Sequence, residues 1–425
     1  MKKSSYAARI VFCVSSIVLL SVASSSFFSL QASGFLQTLW SATYGDVERD
    51  AATAVTACAD GGTAVAGYSR SWGDGETDVM VYKLNSNGQR EWAKVYGVFD
   101  GVSNSMAYGI AETGDGSLVV VGEKRIYSVW DDFNLTSSYR YNVWVLKLDA
   151  RGNELWSKTL GGTDYDRANA VVVDSDGGIV VAGHTQSYYA DGSNPPAHAK
   201  KEMWIIKLDQ DGNVKWQKLY GTKNGSDGAN AIVRVQGGYV VCGFTSSYSA
   251  GGAGDYDAWI MKLDADGNPL WSRTAGGPKF DQTNAVMETA SGDILAAGET
   301  TAATGNGSTD FYVLRYDKDG HFKWSRTYGY AGFERARAMV ETAEENFIIA
   351  GYSDSIGAGN KDAWLVKIDS NGMVLGSQTF GGPSCDEAFA ITRTADGHYV
   401  MAGNTASSGA GGVDAWTVKV RDLLP

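Results

Sequence analysis

Short runs of alternating apolar and polar residues recur along almost the whole chain. In the clearest copy, residues 257–277, every second residue of 259–263 is large and apolar, which is the period of a β-strand. The loop 264–268 follows, and its Gly267 can adopt the left-handed backbone conformation that side chains resist. A second strand, anchored by Trp271, completes the unit. The unit therefore predicts a β-hairpin.

The hairpin unit recurs with a regular spacing. A tryptophan or its substitute marks the first strand seven times, at Val79, Trp144, Trp204, Trp259, Tyr312, Trp364 and Trp416. The second strand is also marked seven times, at Trp40, Trp92, Trp156, Trp216, Trp271, Trp324 and Gly376. The two series are out of phase, because Trp40 has no partner before it and Trp416 has none after it.

Two further strands precede each hairpin. In one repeat they are the small-residue strand 168–173 and the apolar strand 179–183, joined by a tight turn at 176–178. Four short strands repeated every fifty to sixty residues are typical of a β-propeller. Small residues fit the crowded axis, so they mark seven inner strands, at Ala51, Ala107, Ala168, Ala229, Thr283, Ala336 and Ala388. We predict an all-β fold with seven blades of four antiparallel strands, and the tryptophan strand outermost.

The phase difference between the two series predicts how the ring closes. The last blade ends near Val420 without an outer strand, whereas residues 36–44 form an outer strand without a blade. Pairing the two pieces leaves neither with an unsatisfied edge. We therefore expect 36–44 to pair antiparallel with 414–420, and we assign the propeller to residues 36–425.

The N-terminus has the pattern of an export signal. Basic residues precede an apolar run at 10–20, and residues 21–23 offer the small side chains that signal peptidase favours. We predict a signal peptide over 1–23, with cleavage as late as Ala32 as an option and an uncleaved membrane anchor as the alternative. The mature chain is then secreted or otherwise extracytoplasmic, in the periplasm or at the cell surface, without a membrane span.

Composition narrows the possible partners. Of the 425 residues, 44% are hydrophobic, which is enough for a large core, and the formal net charge is -12. A chain this acidic is not expected to bind nucleic acid, because phosphate binding needs a basic surface. Three cysteines outside the signal, Cys58, Cys242 and Cys385, are too few and too far apart for a disulfide framework, and the first two fit buried strand positions.

The repeat resembles that of a large group of secreted bacterial and archaeal β-propeller proteins. The matching positions are Gly161-Gly162, Tyr165-Asp166, Asp176-Gly177-Gly178, Val181-Ala182-Gly183, Trp204, Lys207-Leu208-Asp209, Gly212-Asn213 and Trp216. The resemblance covers residues 36–420 and implies the propeller fold. The repeat is also similar, more distantly, to the tryptophan-docking repeat of quinoprotein dehydrogenases. Neither resemblance implies an activity.

Two long loops single out one face of the predicted propeller. Tight turns share the opposite face, whereas blade two inserts residues 123–142 and blade three inserts 184–202 on this one. Their aromatic, acidic and histidine side chains suit a sugar or peptide ligand, and the candidates are Tyr127, Trp130, Asp132, Phe133, Tyr139, His184, Tyr188 and Tyr189. The alternative is that the aromatics only pack their own loops.

Acidic residues recur just before six of the seven inner strands, with Ser105 in the seventh place. They are Asp50, Asp166, Asp227, Asp281, Glu334 and Asp386, and we expect them to ring the channel mouth on the long-loop face. They could form a cation site or an electrostatic funnel, but recurrence favours a cap on the local strand–loop junction. His184 and His198 have no obvious third ligand, so we interpret them as solvated rather than metal-binding.

These features favour a non-enzymatic binding module that takes a carbohydrate or protein ligand and is expected to be a monomer. No catalytic set, metal site or cofactor is predicted. One alternative is a propeller enzyme, either glycoside-cleaving through paired carboxylates or quinoprotein-like. The other is a structural module of the cell envelope.

Overall fold

The computed structural model describes residues 34–73, 76–97, 104–127, 139–188, 200–248, 256–301 and 308–424, except for the side chains of Tyr127 and Tyr139. Within these ranges the chain forms 28 β-strands and no α-helix. The described part of the chain contains no helix with the length and apolar character needed to cross a membrane.

The strands form seven four-stranded antiparallel sheets, which confirms the predicted all-β propeller. Blade one contains β2 (Asp50–Ala57), β3 (Thr63–Ser69), β4 (Asp78–Leu84) and β5 (Arg90–Tyr96). Blade two contains β6 (Ser105–Glu112), β7 (Leu118–Tyr127), β8 (Tyr139–Leu148) and β9 (Glu154–Leu160). Blade three contains β10 (Asp166–Val173), β11 (Ile179–Thr185), β12 (Glu202–Leu208) and β13 (Val214–Tyr220). Blade four contains β14 (Asp227–Val235), β15 (Gly238–Thr245), β16 (Asp257–Asp264) and β17 (Pro269–Ala275).

The remaining blades follow the same order, apart from the strand that closes the ring. Blade five contains β18 (Asp281–Glu288), β19 (Ile294–Thr300), β20 (Asp310–Tyr316) and β21 (Phe322–Tyr328). Blade six contains β22 (Glu334–Glu341), β23 (Phe347–Ser353), β24 (Asp362–Ile368) and β25 (Val374–Phe380). Blade seven contains β26 (Asp386–Arg393), β27 (Tyr399–Thr405), β28 (Asp414–Asp422) and, as its outer strand, β1 (Leu36–Tyr44).

The N-terminal strand closes the ring as predicted. It pairs antiparallel with β28, from Leu36 opposite Asp422 to Tyr44 opposite Ala415, so the pairing extends two residues beyond the predicted 414–420. The backbone amide of Leu423 also donates to the carbonyl of Phe35 at 2.8 Å. Both chain ends are thus held in one sheet, and neither leaves an open edge.

The hydrophobic core lies between neighbouring blades. Val121 and Val145 of blade two, for example, pack with Val181 and Trp204 of blade three. Because each sheet is covered on both faces, the middle strands are buried along their whole length, as in β11 and β24. Cys58 and Cys242 are buried in this layer, as expected, and no disulfide joins the described cysteines.

Each inner strand carries a β-bulge three residues from its beginning. The bulge in β10 falls between Ala168 and Ala170, and in β2 it falls between Ala52 and Ala54. Ala52, rather than the predicted Ala51, therefore matches Ala168 in register. The bulged residues, which we call the bulge residues, are Thr53, Tyr108, Asn169, Asn230, Asn284, Arg337 and Phe389.

The outer tryptophans connect each blade to the next. Trp271 of blade four covers Gly320 in a tight turn of blade five, where φ is 80° and an added Cβ would come within 2.7 Å of the indole ring. Its Nε1 donates to the carbonyl oxygen of Lys318 at 3.1 Å. The matching tryptophan–glycine contacts are Trp40–Gly88, Trp92–Gly152, Trp156–Gly212, Trp216–Gly267 and Trp324–Gly372.

Candidate ligand-binding site

The acidic ring on the long-loop face is buried and fully engaged within the protein. All six carboxylates, Asp50, Asp166, Asp227, Asp281, Glu334 and Asp386, have 0% exposure. Asp166 accepts hydrogen bonds from the Gly162 amide at 2.9 Å and the Ser187 hydroxyl at 2.8 Å, and also from the Thr185 hydroxyl. Burial raises the pKa of Asp166 despite these bonds. The ring side chains therefore link six of the seven inner strands to the adjoining loops.

A second carboxylate lies beside several of the ring carboxylates. Asp414 and Asp50 both face Gly45, and Asp362 and Asp386 both face Gly381. Burial, and then repulsion from Asp50, raises the pKa of Asp414. Such pairs are the side chains that could hold a cation, but the described residues include no group of three or more His, Cys, Asp or Glu side chains with metal-site geometry.

The two long loops are only partly described. Trp130, Asp132, Phe133 and Tyr189 lie outside the described residues, as does His198. Much of the predicted insertion in blade two is regular strand, because β7 and β8 remain paired out to Tyr127 opposite Tyr139. These two strands are ten residues long, whereas their counterparts in blade three have seven.

The predicted ligand residue His184 belongs to a set that we call the interblade cluster: Tyr108, Glu123, Tyr165, Arg167 and His184. Glu123 and His184 are buried, and the other three are half-buried. Glu123 accepts a hydrogen bond from the Tyr108 hydroxyl at 3.0 Å and one from the Tyr165 hydroxyl. The Arg167 guanidinium lies 3.5 Å from the centre of the Tyr108 ring, and its Nε is 4.0 Å from Glu123. The cluster joins blade two to blade three.

His184 is not the solvated histidine that its place near a loop predicted. It is 4% exposed on β11, its ring stacks on Tyr165 at 5.6 Å, and neither ring nitrogen has a hydrogen-bond partner among the described residues. Burial, together with the positive charges of Lys201 and Arg167, lowers the pKa of His184 well below its usual value. The imidazole is therefore neutral at pH 7.

Tyr188 has a contact that the repeat also makes elsewhere. Its hydroxyl donates to the Gly161 carbonyl at 2.8 Å, and its ring lies 5.8 Å from that of Trp204. Tyr248 contacts Trp259 in the same way in blade four. Tyr188 is 38% exposed, so the outer face of its ring is the part that a ligand can reach.

The central channel contains candidate functional side chains that were not predicted from the sequence. All seven bulge residues, together with Tyr68 and Arg167, line a cavity of about 300 Å³. The sequence signal is the residue after the small residue that marks each inner strand, as in Ala168-Asn169-Ala170. Bulges re-aim side chains and are frequent beside active sites, so this wall is a second candidate site.

The comparisons with known proteins support the repeat and the fold. Residues 289–322 match the family model described as a β-propeller domain of unknown function, DUF5122. The chain is 29% identical over 195 residues to the regulatory protein FlaEY of Caulobacter vibrioides. That match covers 44% of this chain and 20% of FlaEY, so it concerns a fraction of that protein's length. The chain is a β-propeller repeat protein.

Solved structures resemble the chain in fold alone. The WD40 domain of Pan2 from Neurospora crassa has a TM-score of 0.54 at 12% identity, covering 92% of this chain and 96% of that domain. A protein of unknown function from Dyadobacter fermentans has a TM-score of 0.50 at 11% identity, covering 91% and 99%. At such identities the propeller architecture is shared, and the architecture hosts many functions.

Proposed function

We propose that this propeller is a non-enzymatic binding module that acts outside the cytoplasm. Its ligand, a carbohydrate or a protein, docks on the long-loop face of blades two and three. The observation that carries the proposal is the interblade cluster, which gathers aromatic and charged side chains next to the strands from which both long loops leave. Loops carried by a rigid scaffold are common binding surfaces, and the propeller supplies such a scaffold.

The surroundings of the cluster suit ligand recognition. The Tyr141 ring meets Tyr165 edge-on at 5.5 Å, and the Lys201 ammonium lies 5.8 Å from the centre of the same ring. Both Tyr141 and Lys201 are half-buried, so they form a platform that is partly open to solvent. Aromatic faces beside cationic and hydroxyl groups bind sugars and peptide side chains.

The acidic ring does not favour an enzyme that uses its carboxylates as acid and base. A glycoside-cleaving enzyme needs two carboxyl groups that reach the scissile bond. All six ring carboxylates are fully buried and accept hydrogen bonds from the surrounding loops. The ring therefore suits a structural role better than hydrolysis.

Export is the part of the proposal that rests on the N-terminal pattern alone. Alkaline phosphatase fused after residue 44 should be active in a bacterial host, because that enzyme folds only after export. The same fusion lacking residues 2–23 should be inactive. Equal activity of the two fusions would contradict an extracytoplasmic location.

Loop replacement tests the binding face. Residues 34–425 would be screened against a glycan array and against extracellular proteins, and each hit would be measured with purified ligand. Replacing residues 128–138 by a two-residue turn should abolish binding, because it removes the part of the blade-two loop beyond the strands. Loss of binding in Tyr165→Leu would support the contribution of the cluster.

The matched control is an equivalent change on another blade. Replacing residues 249–255 of blade four by the same short turn should leave binding and thermal stability unchanged. Binding that survives removal of 128–138, or that disappears equally in both variants, would exclude the proposed face. Turnover of a glycoside by the unaltered protein would replace the proposal by an enzymatic one.

A further inference from the structure

The seven bulge residues fall into two groups by what their side chains do. Four of them tie their blade to the next one by donating to a backbone carbonyl of its inner strand: Thr53 to Ala107 at 2.6 Å, Asn169 to Ala229 at 2.7 Å, Asn230 to Thr283 at 2.9 Å, and Asn284 to Ala336 at 2.9 Å. Tyr108, Arg337 and Phe389 do not make this bond. Three positions of the cavity wall are therefore free of the linking role.

The cavity wall contains two arginines, and Arg337 is the one that forms no ion pair with a described residue. Its Nε is buried and has no hydrogen-bond partner, and the described residues provide no ion pair for it. Its guanidinium lies 5.9 Å from the ring centres of both Tyr352 and Phe389. Arg337 is half-buried as a whole, and a buried Nε–H without an acceptor is costly unless a ligand atom completes it.

The nearby carboxylates are already occupied by other cations. Glu299 pairs with Arg335, and Glu387 pairs with Lys361 at 3.1 Å. On blade three, Arg167 faces the same cavity, and Glu123 is its nearest carboxylate, at 4.0 Å. The charge of Arg337 is thus available to a group that enters the channel.

The rest of the wall suits a hydroxylated ring. Phe389, Tyr68 and Tyr108 supply aromatic surface, on which sugar rings pack through their C–H faces. Because the amide nitrogens of Asn169 and Asn230 are used between blades, their amide oxygens are the atoms that can accept bonds from ligand hydroxyls. A volume of about 300 Å³ is at the lower end of small-molecule sites and limits the ligand to about one ring.

We infer that the channel binds one hexuronic acid residue, with its carboxylate on Arg337 and its sugar ring among the bulge residues. The residue can be a free monosaccharide or the end of an acidic polysaccharide, since both present the same chemistry. A guanidinium binds a carboxylate through two parallel hydrogen bonds, which a neutral sugar cannot accept in this form. The site shares Tyr108 and Arg167 with the interblade cluster, but its proposed carboxylate anchor, Arg337, lies on blade six, and it does not depend on a ligand on the long-loop face.

Calorimetric titration of residues 34–425 tests the inference with four probes: D-glucuronate, D-glucose, acetate and trigalacturonate. D-glucuronate should bind saturably with one site per chain. Glucose and acetate should each bind at least about tenfold more weakly, because each lacks half of the recognised chemistry. Binding of trigalacturonate at least as tight as that of glucuronate identifies a polysaccharide end as the source, and binding of the monosaccharide alone identifies the free acid.

Variants of blade six and blade seven separate this site from the long-loop face. Arg337→Gln should weaken glucuronate binding about tenfold or more, and Phe389→Leu should weaken it by a smaller factor while leaving the guanidinium in place. If Arg337→Gln does not fold, Phe389→Leu decides the question. Replacement of the blade-two loop should not change glucuronate affinity, so failure of one proposal is distinguishable from failure of the other.

The control is Arg326→Gln on the outer strand β21. Arg326 also lies over an aromatic ring, that of Trp324 at 5.7 Å, and donates to a backbone carbonyl outside the channel. Its replacement should leave glucuronate affinity unchanged. The inference is overturned if no probe binds saturably, if glucose binds as tightly as glucuronate, or if the channel variants bind as tightly as the control.

Discussion

Asp227 on the long-loop face and Asp264 on the turn face both accept hydrogen bonds from residues of their own blade, but they differ in how far they are buried. Asp227 has 0% exposure and accepts hydrogen bonds from the hydroxyls of Thr245 and Ser247. Asp264 is open to solvent and accepts bonds from the amides of Asp266 at 2.9 Å and Asn268 at 2.7 Å. Burial raises the pKa of Asp227, whereas the hydrogen bonds from Asn268 lower the pKa of Asp264.

The comparison shows that recurrence of a residue in most blades does not identify its energetic role. Removing an aspartate carboxylate from water costs much free energy on the long-loop face, where it is buried, and little on the turn face, where water still reaches it. A donor that loses a buried ring carboxylate has no water to replace it. A turn amide that loses its aspartate can bond to water instead. Substitutions in the two sets should therefore differ in size.

The largest effect is expected for Asp227→Ala. It removes the acceptor of the buried Thr245 hydroxyl and of the half-buried Ser247 hydroxyl, and we expect a loss of about 3 kcal/mol in the free energy of unfolding. Urea unfolding followed by tryptophan fluorescence measures the loss. Asp211→Ala, an exposed turn residue whose side chain caps nothing, is the control and should change stability little. A loss of similar size in both variants would contradict the distinction between the faces.

A smaller effect is expected where blade six departs from the ring pattern. Glu334 replaces aspartate there, and its longer side chain reaches Ser353 at 2.8 Å where most blades use threonine. Glu334→Asp should lose about 1 kcal/mol, because the shorter carboxylate no longer reaches the serine hydroxyl. Adding Ser353→Thr should recover most of that loss, and a double-mutant cycle measures the coupling. Additive effects of the two substitutions would contradict a coupling between Glu334 and Ser353.

On the turn face, Asp264→Ala should lower the melting temperature by about 1–2 °C, because water can replace part of the lost capping. Calorimetry measures the shift. Asp266→Ala in the same turn is the control, since its side chain makes none of the capping bonds that Asp264 makes. A shift as large as that of Asp227→Ala would remove the contrast in burial.

The smallest signal is the direction of two titrations. The pKa of Asp264 lies below 3.8 in the folded chain, so its stabilisation is present above the unfolded pKa and is lost as pH falls through the folded pKa. The pKa of Asp227 lies above 3.8, so its contribution is fully present below the unfolded pKa and is lost as pH rises through the folded value. Carboxyl carbon NMR should place the two midpoints on opposite sides of 3.8. Midpoints on the same side would contradict this assignment.

Much of the architecture could be predicted because the repeat encodes contacts between neighbouring blades. The tryptophan series marks the outer strands, and the phase difference correctly placed β1 beside β28. Gly376 in place of a tryptophan also has a physical reason. Blade seven has no turn between its third and outer strands, since these come from opposite ends of the chain, and Phe35 packs against Gly376 instead.

The candidate site was less predictable, because it depends on which residues meet across the ring. Nothing local to Arg337 indicates that it shares a cavity with Arg167, which precedes it by three blades. Likewise, His184 was assigned to a loop, but pairing of β11 with β12 buries it. The predicted ligand residues Tyr127 and Tyr139 were placed in an insertion that is in part a longer hairpin. Whether they and the remaining loop residues bind a ligand stays a prediction.

The sequence by itself determined the number of blades, the order of strands and the closure of the ring, since periodic apolar positions and turn glycines specify contacts that each blade repeats. Only the tertiary structure decided which polar side chains are buried and which face the channel. Seven equivalent bulges converge on one axis, so a single wall is built from residues about fifty positions apart in the chain. Burial and shared cavities are properties of the closed ring, and no single repeat contains them.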